Sequence, residues 1–156
     1  LHSLFTIYGD AATQTFNPAG PLPDRGAAHA LLERWLAQWR ERSMGPWAIA
    51  IRTDPLRLVG FGGISLHAYL EQERINLGYR FATVAWGQGY ATELGMAALD
   101  FGFTEHGFDA IYGLVRPAHE ASIRVLEKIG MRRHGTLDDV PGEQASLIYR
   151  ARRQDR

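Results

Sequence analysis

The sequence predicts an α+β fold on a mixed, mostly antiparallel sheet with one parallel step, and three observations carry that prediction. Short apolar or alternating runs, "WAIAIR", "LRLVGFGGISLHAY" and "RINLGYRFATV", succeed one another in the middle of the chain, the pattern of an antiparallel meander. After Trp86 the hydrophobic period changes from two to about 3.6, which marks a helix. A strand-like run, "DAIYGLV", comes after it, and strand, helix, strand implies a right-handed crossover between two parallel strands.

"LHSLFTIYG" reads as the tail of a helix whose earlier turns are missing, since the chain begins at Leu1. "NPAGPLPDRG" is a Pro- and Gly-containing connection. Asp24 is then a helix N-cap, and "AAHALLERWLAQWRERS" sets Ala28, Leu32, Trp35 and Trp39 on one helical face. A hairpin joins the next two strands through "TDPL", because Asp-Pro favours a turn. From Tyr90 to Glu105, Ala91, Leu94, Ala98 and Phe101 fall on one stripe, with His106-Gly107 as a stop. Arg116-Pro117 closes the next strand. "EASIRVLEKIG" aligns Ser122, Leu126 and Ile129 on a helix that Gly130 ends, and "MRRHGTL" with "ASLIYRA" forms a last strand pair.

Composition narrows the function classes. The 156 residues contain no cysteine, which removes disulfides, thiolate zinc sites and thiol nucleophiles together and points to a reducing compartment. Lys plus Arg and Asp plus Glu balance at 17 each, so no global field draws nucleic acid or an acidic membrane. No apolar run approaches the roughly 20 residues of a membrane span, and the N-terminus lacks the pattern of a signal peptide. A single cytoplasmic domain over residues 1–156 is expected, with no nucleic-acid or membrane partner.

"WGQGYATE", from Trp86 to Glu93, is the stretch that carries chemistry. Gly87 and Gly89 stand between a strand and the helix starting near Tyr90, where the first backbone N–H groups lack intrahelical partners. With the positive end of the helix dipole and no side chains in the way, such a loop can cradle phosphate oxygens. Two glycines would equally serve a tight turn. The pattern lacks the Lys-Ser/Thr of a Walker loop and the third glycine of a dinucleotide fold. Six scattered histidines give no metal-ligand spacing, so no metal is expected. Ser122, His119 and Asp109 lack the Gly-x-Ser-x-Gly elbow of a hydrolase. Trp35 and Trp39 fit a core or a pocket wall better than a stacking platform.

These stretches resemble the GNAT superfamily of N-acetyltransferases, and within it the branch of ribosomal-protein N-terminal alanine/serine acetyltransferases. "LGYRFATVAWGQGYATELGMAALDFGF" is similar to that family's fourth strand, pyrophosphate loop and third helix. "IYGLVRPAHEASIRVLEKIGMRRHG" is similar to its fifth strand with the helix and strand after it, and "WAIAIR" with "LVGFGGISL" to its second and third strands. The resemblance implies helices on both faces of the sheet and a splayed parallel pair. It also implies a missing first strand and part of the first helix, acetyl-CoA as cosubstrate, a primary amine as acceptor, and a homodimer in some relatives. The family's Arg/Gln-x-x-Gly-x-Gly/Ala loop falls on Trp86, Gly87, Gln88, Gly89, Tyr90 and Ala91. Amides from Gly87 to Thr92 would hold the pyrophosphate, with backbone near Phe81 and Thr83, and the His119 side chain, along the pantetheine arm. Trp86 replaces the usual Arg or Gln, and His119 the usual Asn.

For the chemistry, the family often places a Tyr acid where this chain has Leu126. The resemblance leaves Ser122 as the acid. The usual Glu base is Asn76 here, which cannot take a proton, so His67, Glu71 and Glu73 are the remaining bases, with His67 the best matched by its ordinary pKa. Two function classes result: an acetyl-CoA-dependent N-acetyltransferase acting on a protein N-terminus or small amine by direct attack on the thioester, and a noncatalytic acyl-CoA-binding or sensing module that keeps the cradle without a base.

Overall fold

The computed structural model describes all 156 residues, Leu1–Arg156. Four helices, α1 (His2–Tyr8), α2 (Arg25–Arg42), α3 (Tyr90–Asp100) and α4 (Glu120–Lys128), accompany six strands. The strands are β1 (Pro46–Ile51), β2 (Asp54–Tyr69), β3 (Gln72–Phe81), β4 (Ala110–Val115), β5 (Arg132–Leu137) and β6 (Ser146–Arg152). They form one sheet in the order β1-β2-β3-β4-β6-β5. The pair β3–β4 is parallel, with Asn76 opposite Tyr112, while β1–β2, β4–β6 and β5–β6 are antiparallel. This is the mixed sheet with one parallel step that the sequence predicts. No helix is long and apolar enough to cross a membrane.

The chain groups into two compact units, Leu1–Gly63 with Tyr79–Tyr90, and Ile64–Gly78 with Ala91–Arg156. In the first, Leu4, Ile7 and Phe61 are buried among Tyr8, Leu31, Leu32, Trp35, Leu58 and Ala82. The rings of Tyr8, Trp35 and Phe61 meet at 5.5–6.2 Å between centroids, so Trp35, half-buried, packs against the core. Asp24 caps α2 by accepting from the Ala27 N–H at 2.8 Å. One residue after α2's left-handed Ser43 comes Met44, 2% exposed, then Gly45. A Cβ on Gly45 would stand 2.7 Å from the Trp39 ring, whose indole N–H donates to the Pro46 carbonyl at 2.9 Å. Only glycine admits that ring.

The β1–β2 hairpin turns one residue earlier than "TDPL" suggests. Ile51 faces Asp54 across a two-residue turn of Arg52 and Thr53, and Asp54-Pro55 opens β2 instead. The register slips at Ala50, with irregularities on both sides of it, which supplies the added twist such tight connections need.

In the second unit α3 buries Leu94, Gly95, Ala98 and Leu99. The stripe expected to continue through Phe101 does not: a π-helical turn, Phe101–Glu105, succeeds α3, and it buries Gly102 and Phe103 while Phe101 is half-buried. A wider turn rotates each later residue backward around the axis, so Phe103 takes the inward place. Close approach is written into two glycines there. A Cβ on Gly95 would lie 2.8 Å from Ile129, and one on Gly102 would lie 2.5 Å from Ile111. Leu99 and Ile111 are fully buried, each contributing roughly 1.5–3 kcal/mol. α4 presents Leu126 inward, and Gly130 at φ +95 ends its last turn.

Candidate functional site

The strand-to-helix loop belongs to the first unit up to Tyr90. β3 ends at Phe81, buried under Gly60, where a Cβ would come within 2.3 Å of the ring. A short 3-10 turn, Thr83–Ala85, then leads to the glycines. Gly87 has φ +76 and Gly89 φ +82, and beside both the space a Cβ would enter is open. Left-handed glycines on either side of Gln88 are the kind of backbone from which anion-binding nests are built. The loop's side chains fold back onto it. The Trp86 indole N–H donates to the Phe81 carbonyl at 3.0 Å, the Gln88 amide to Val84 at 3.1 Å, and the Tyr90 hydroxyl to Gln88 at 3.2 Å. The Tyr90 ring packs near Phe81, 6.2 Å between centroids. Gly87, Gln88 and Gly89 are exposed. Bracing by side chains and openness at the glycines fit a phosphate-bearing ligand.

Part of the backbone at the strand end is engaged within the protein. Ala82 N–H donates to Val59 at 2.8 Å and the Thr83 carbonyl accepts from Trp86 N–H at 3.1 Å.

The second unit holds Ala91 and Thr92, half-buried in the first turn of α3, and the α4 residues His119 and Ser122. His119 occupies the N-cap position, its carbonyl accepting from Ile123 N–H at 3.1 Å. Ser122 lies half-buried in the first turn. His67 is exposed on β2, within the strand, its ring edge-on to Tyr69 at 5.9 Å.

Beside Tyr69 lies a group that no sequence motif marks. The Tyr69 hydroxyl, on a residue only 4% exposed, donates to Asn76 Oδ1 at 2.5 Å. The Arg74 guanidinium lies over the Tyr112 ring at 4.4 Å and near the Tyr69 ring at 5.5 Å. Tyr112 in turn meets Tyr69 at 6.1 Å and His134 at 5.8 Å. Burial pushes the pKa of Tyr69 up, against Arg74 and with Tyr112 and Asp139, so the hydroxyl keeps its proton and acts as donor. Desolvation, then Arg150 and Arg74, hold His134 below the usual histidine range. The available sequence signal was the two-residue spacing of Arg74 and Asn76, which puts both on one face of β3.

A family model described as the GNAT acetyltransferase domain matches residues 1–132. The chain belongs to the GNAT acetyltransferase family. Among its relatives, the Bacillus subtilis uncharacterized protein YkkB is 43% identical over 105 residues, 64% of this chain and 60% of YkkB. The uncharacterized N-acetyltransferase YoaA of the same organism is 30% identical over 111 residues, 70% of this chain and 61% of YoaA. The matches thus span about three fifths of these relatives' own length. Solved structures share the fold. A GNAT-family acetyltransferase from Bacillus anthracis is 24% identical with a TM-score of 0.76, covering 98% of this chain and 89% of that one. The spermidine N-acetyltransferase of Vibrio cholerae, solved with CoA and spermine, gives 16% and 0.77 with 98% and 89% covered. The ribosomal-protein-S5-alanine acetyltransferase of Vibrio fischeri gives 14% and 0.73 with 99% and 90% covered. The GNAT fold accounts for the parallel β3–β4 step in an otherwise antiparallel sheet. In this chain the Trp86 indole closes the loop and Tyr69 holds Asn76.

Proposed function

We propose that this protein is a cytoplasmic, acetyl-CoA-dependent N-acetyltransferase that acetylates a primary amine, either a protein N-terminus or a small molecule. The observation that carries the reading is the braced loop, with Gly87 and Gly89 left-handed and open at the start of α3. Amides from Gly87 through Gln88, Gly89, Tyr90 and Ala91 to Thr92 would hold the pyrophosphate of CoA, helped by the helix dipole. Backbone at Phe81 and Thr83, and His119 at the start of α4, would flank the pantetheine arm.

Acetyl-CoA, when bound, supplies a thioester that an amine can attack. The chain's part is to align the reactants, polarise the acyl oxygen with a backbone N–H and manage two protons. Ser122, in the first turn of α4, is the proposed donor of a proton to the departing sulfur. His67 is the proposed acceptor of the amine's proton, directly or through water, since Asn76 cannot perform that task.

Thiol release measured across peptides, amino acids, polyamines and aminoglycosides tests the reading. Turnover above the hydrolysis background with at least one amine is expected. Release that stays at background in spite of tight acetyl-CoA binding would leave an acyl-CoA-binding module with no acceptor.

A further inference from the structure

Building on that acetyl-transfer reading, we infer that the acceptor is an amine that also carries a carboxylate, which Arg74 and Asn76 recognise at the β3–β4 junction. Two independent features of the second unit point the same way. Arg74 Nε and Nη1 are buried with no hydrogen-bond partner, while Nη2 donates to Gln72 Oε1 at 3.1 Å. A guanidinium this poorly paired inside the fold is costly, and Nη2, held only by the exposed Gln72, is the nitrogen a ligand can reach. No acidic side chain pairs with Arg74. The nearby Asp139 is committed elsewhere, accepting from Ser146 at 2.8 Å and lying 3.9 Å from Arg116. The rings of Tyr112 and Tyr69 hold the guanidinium in place but offer it no oxygen acceptor.

The second feature is the polarity of Asn76. Because the Tyr69 hydroxyl takes one lone pair of Oδ1, the amide's orientation is set and its two N–H groups are the donors it has to offer. Asn76 stands opposite Tyr112 in the parallel pair. A carboxylate there would welcome a cation. Donors backed by a buried guanidinium instead repel a polycation and attract an anion. Gln72 is exposed, so an incoming carboxylate can replace it on Nη2 without disturbing the packed rings. An amino acid satisfies both demands, presenting an amine to the thioester and an anion to Arg74, whereas a polyamine brings no anion.

Binding is measured first, because it needs no turnover. With CoA present, calorimetry compares N-acetylalanine, which carries the carboxylate, with its uncharged methylamide. The carboxylate is expected to bind about tenfold more tightly, as for a charge-assisted bond to guanidinium, and Arg74→Gln to bring the two probes level. Gln72→Ala, an exposed change, is expected to tighten the carboxylate probe by removing its competitor. Equal affinity for both probes in the wild type overturns the proposal without recourse to any variant. Thiol release then separates the two readings. Transfer to polyamines but not to amino acids sinks carboxylate recognition and leaves acetyl transfer standing. Carboxylate selectivity in binding with no transfer to any amine supports the recognition site and removes the enzyme.

Discussion

Replacing Gly89 by Ala separates a glycine needed for a ligand from one needed only for a turn. Gly89 sits at φ +82 with nothing near its would-be Cβ, so alanine meets no clash and bears only the left-handed backbone cost of ~1–2 kcal/mol. For a chain of 156 residues that lowers the melting temperature by about 2–8 °C, at ~2–4 °C per kcal/mol. Acetyl-CoA at about a hundredfold above its dissociation constant adds ~2.7 kcal/mol to the wild type, or about 5–11 °C. In Gly89→Ala the methyl occupies the space through which a phosphate would approach, and most of that gain is expected to vanish. Gly142→Ala is the matched control, at φ +79 and equally open, but in the β5–β6 connection. It should lose similar stability and keep the full ligand gain. Differential scanning fluorimetry with and without acetyl-CoA reads all three proteins. A Gly89→Ala protein that keeps the wild-type gain would refute the cradle and leave the glycines with a turn.

Further outcomes are open to test. Gly60→Ala brings a Cβ within 2.3 Å of the Phe81 ring and 2.8 Å of the Arg80 carbonyl, and such overpacking is expected to cost ~1–3 kcal/mol; an unchanged urea midpoint would contradict it. Trp86→Phe removes the indole N–H from the Phe81 carbonyl, with an expected loss of about 0.5–1.5 kcal/mol in stability and weaker acetyl-CoA binding by calorimetry, since the loop loses a brace. Burial pushes the Tyr8 phenol from 10.0 up to about 12, against the pull of Arg80. A pKa raised by folding gives stability that is complete below the unfolded value and lost as pH rises through the folded one. The wild type should therefore lose on the order of 2 kcal/mol across that alkaline window, and Tyr8→Phe should flatten the loss; urea titrations on either side of the window decide it.

The features legible in the sequence are those written locally. Asp24 announces its cap because a short carboxylate reaches the Ala27 N–H within one turn. Gly87, Gly89 and Gly130 announce positive φ because glycine has no Cβ to resist it. The start of α3 at Tyr90 comes from the change of period, and the crossover from β3 to β4 from the handedness of the chain. Periodicity fails where geometry is not the ideal helix: the π-helical turn moves burial from Phe101 to Phe103, and no local preference signalled it.

Tertiary structure decided the site's fine detail. Trp86 reads as a departure from a family pattern until its indole is found on the Phe81 carbonyl. Asn76 reads as a lost base, yet the fold gives it a role by bringing Tyr69 from β2 to its Oδ1 and Tyr112 from β4 alongside. Arg74 looks like one more surface cation in a balanced composition, and only packing between two rings leaves two of its nitrogens sealed and unpartnered. The physical reason is range. Caps, turns and helical period depend on neighbours within a few residues, whereas desolvation and hydrogen-bond polarity depend on which strands pair, and that is settled only when the whole sheet forms.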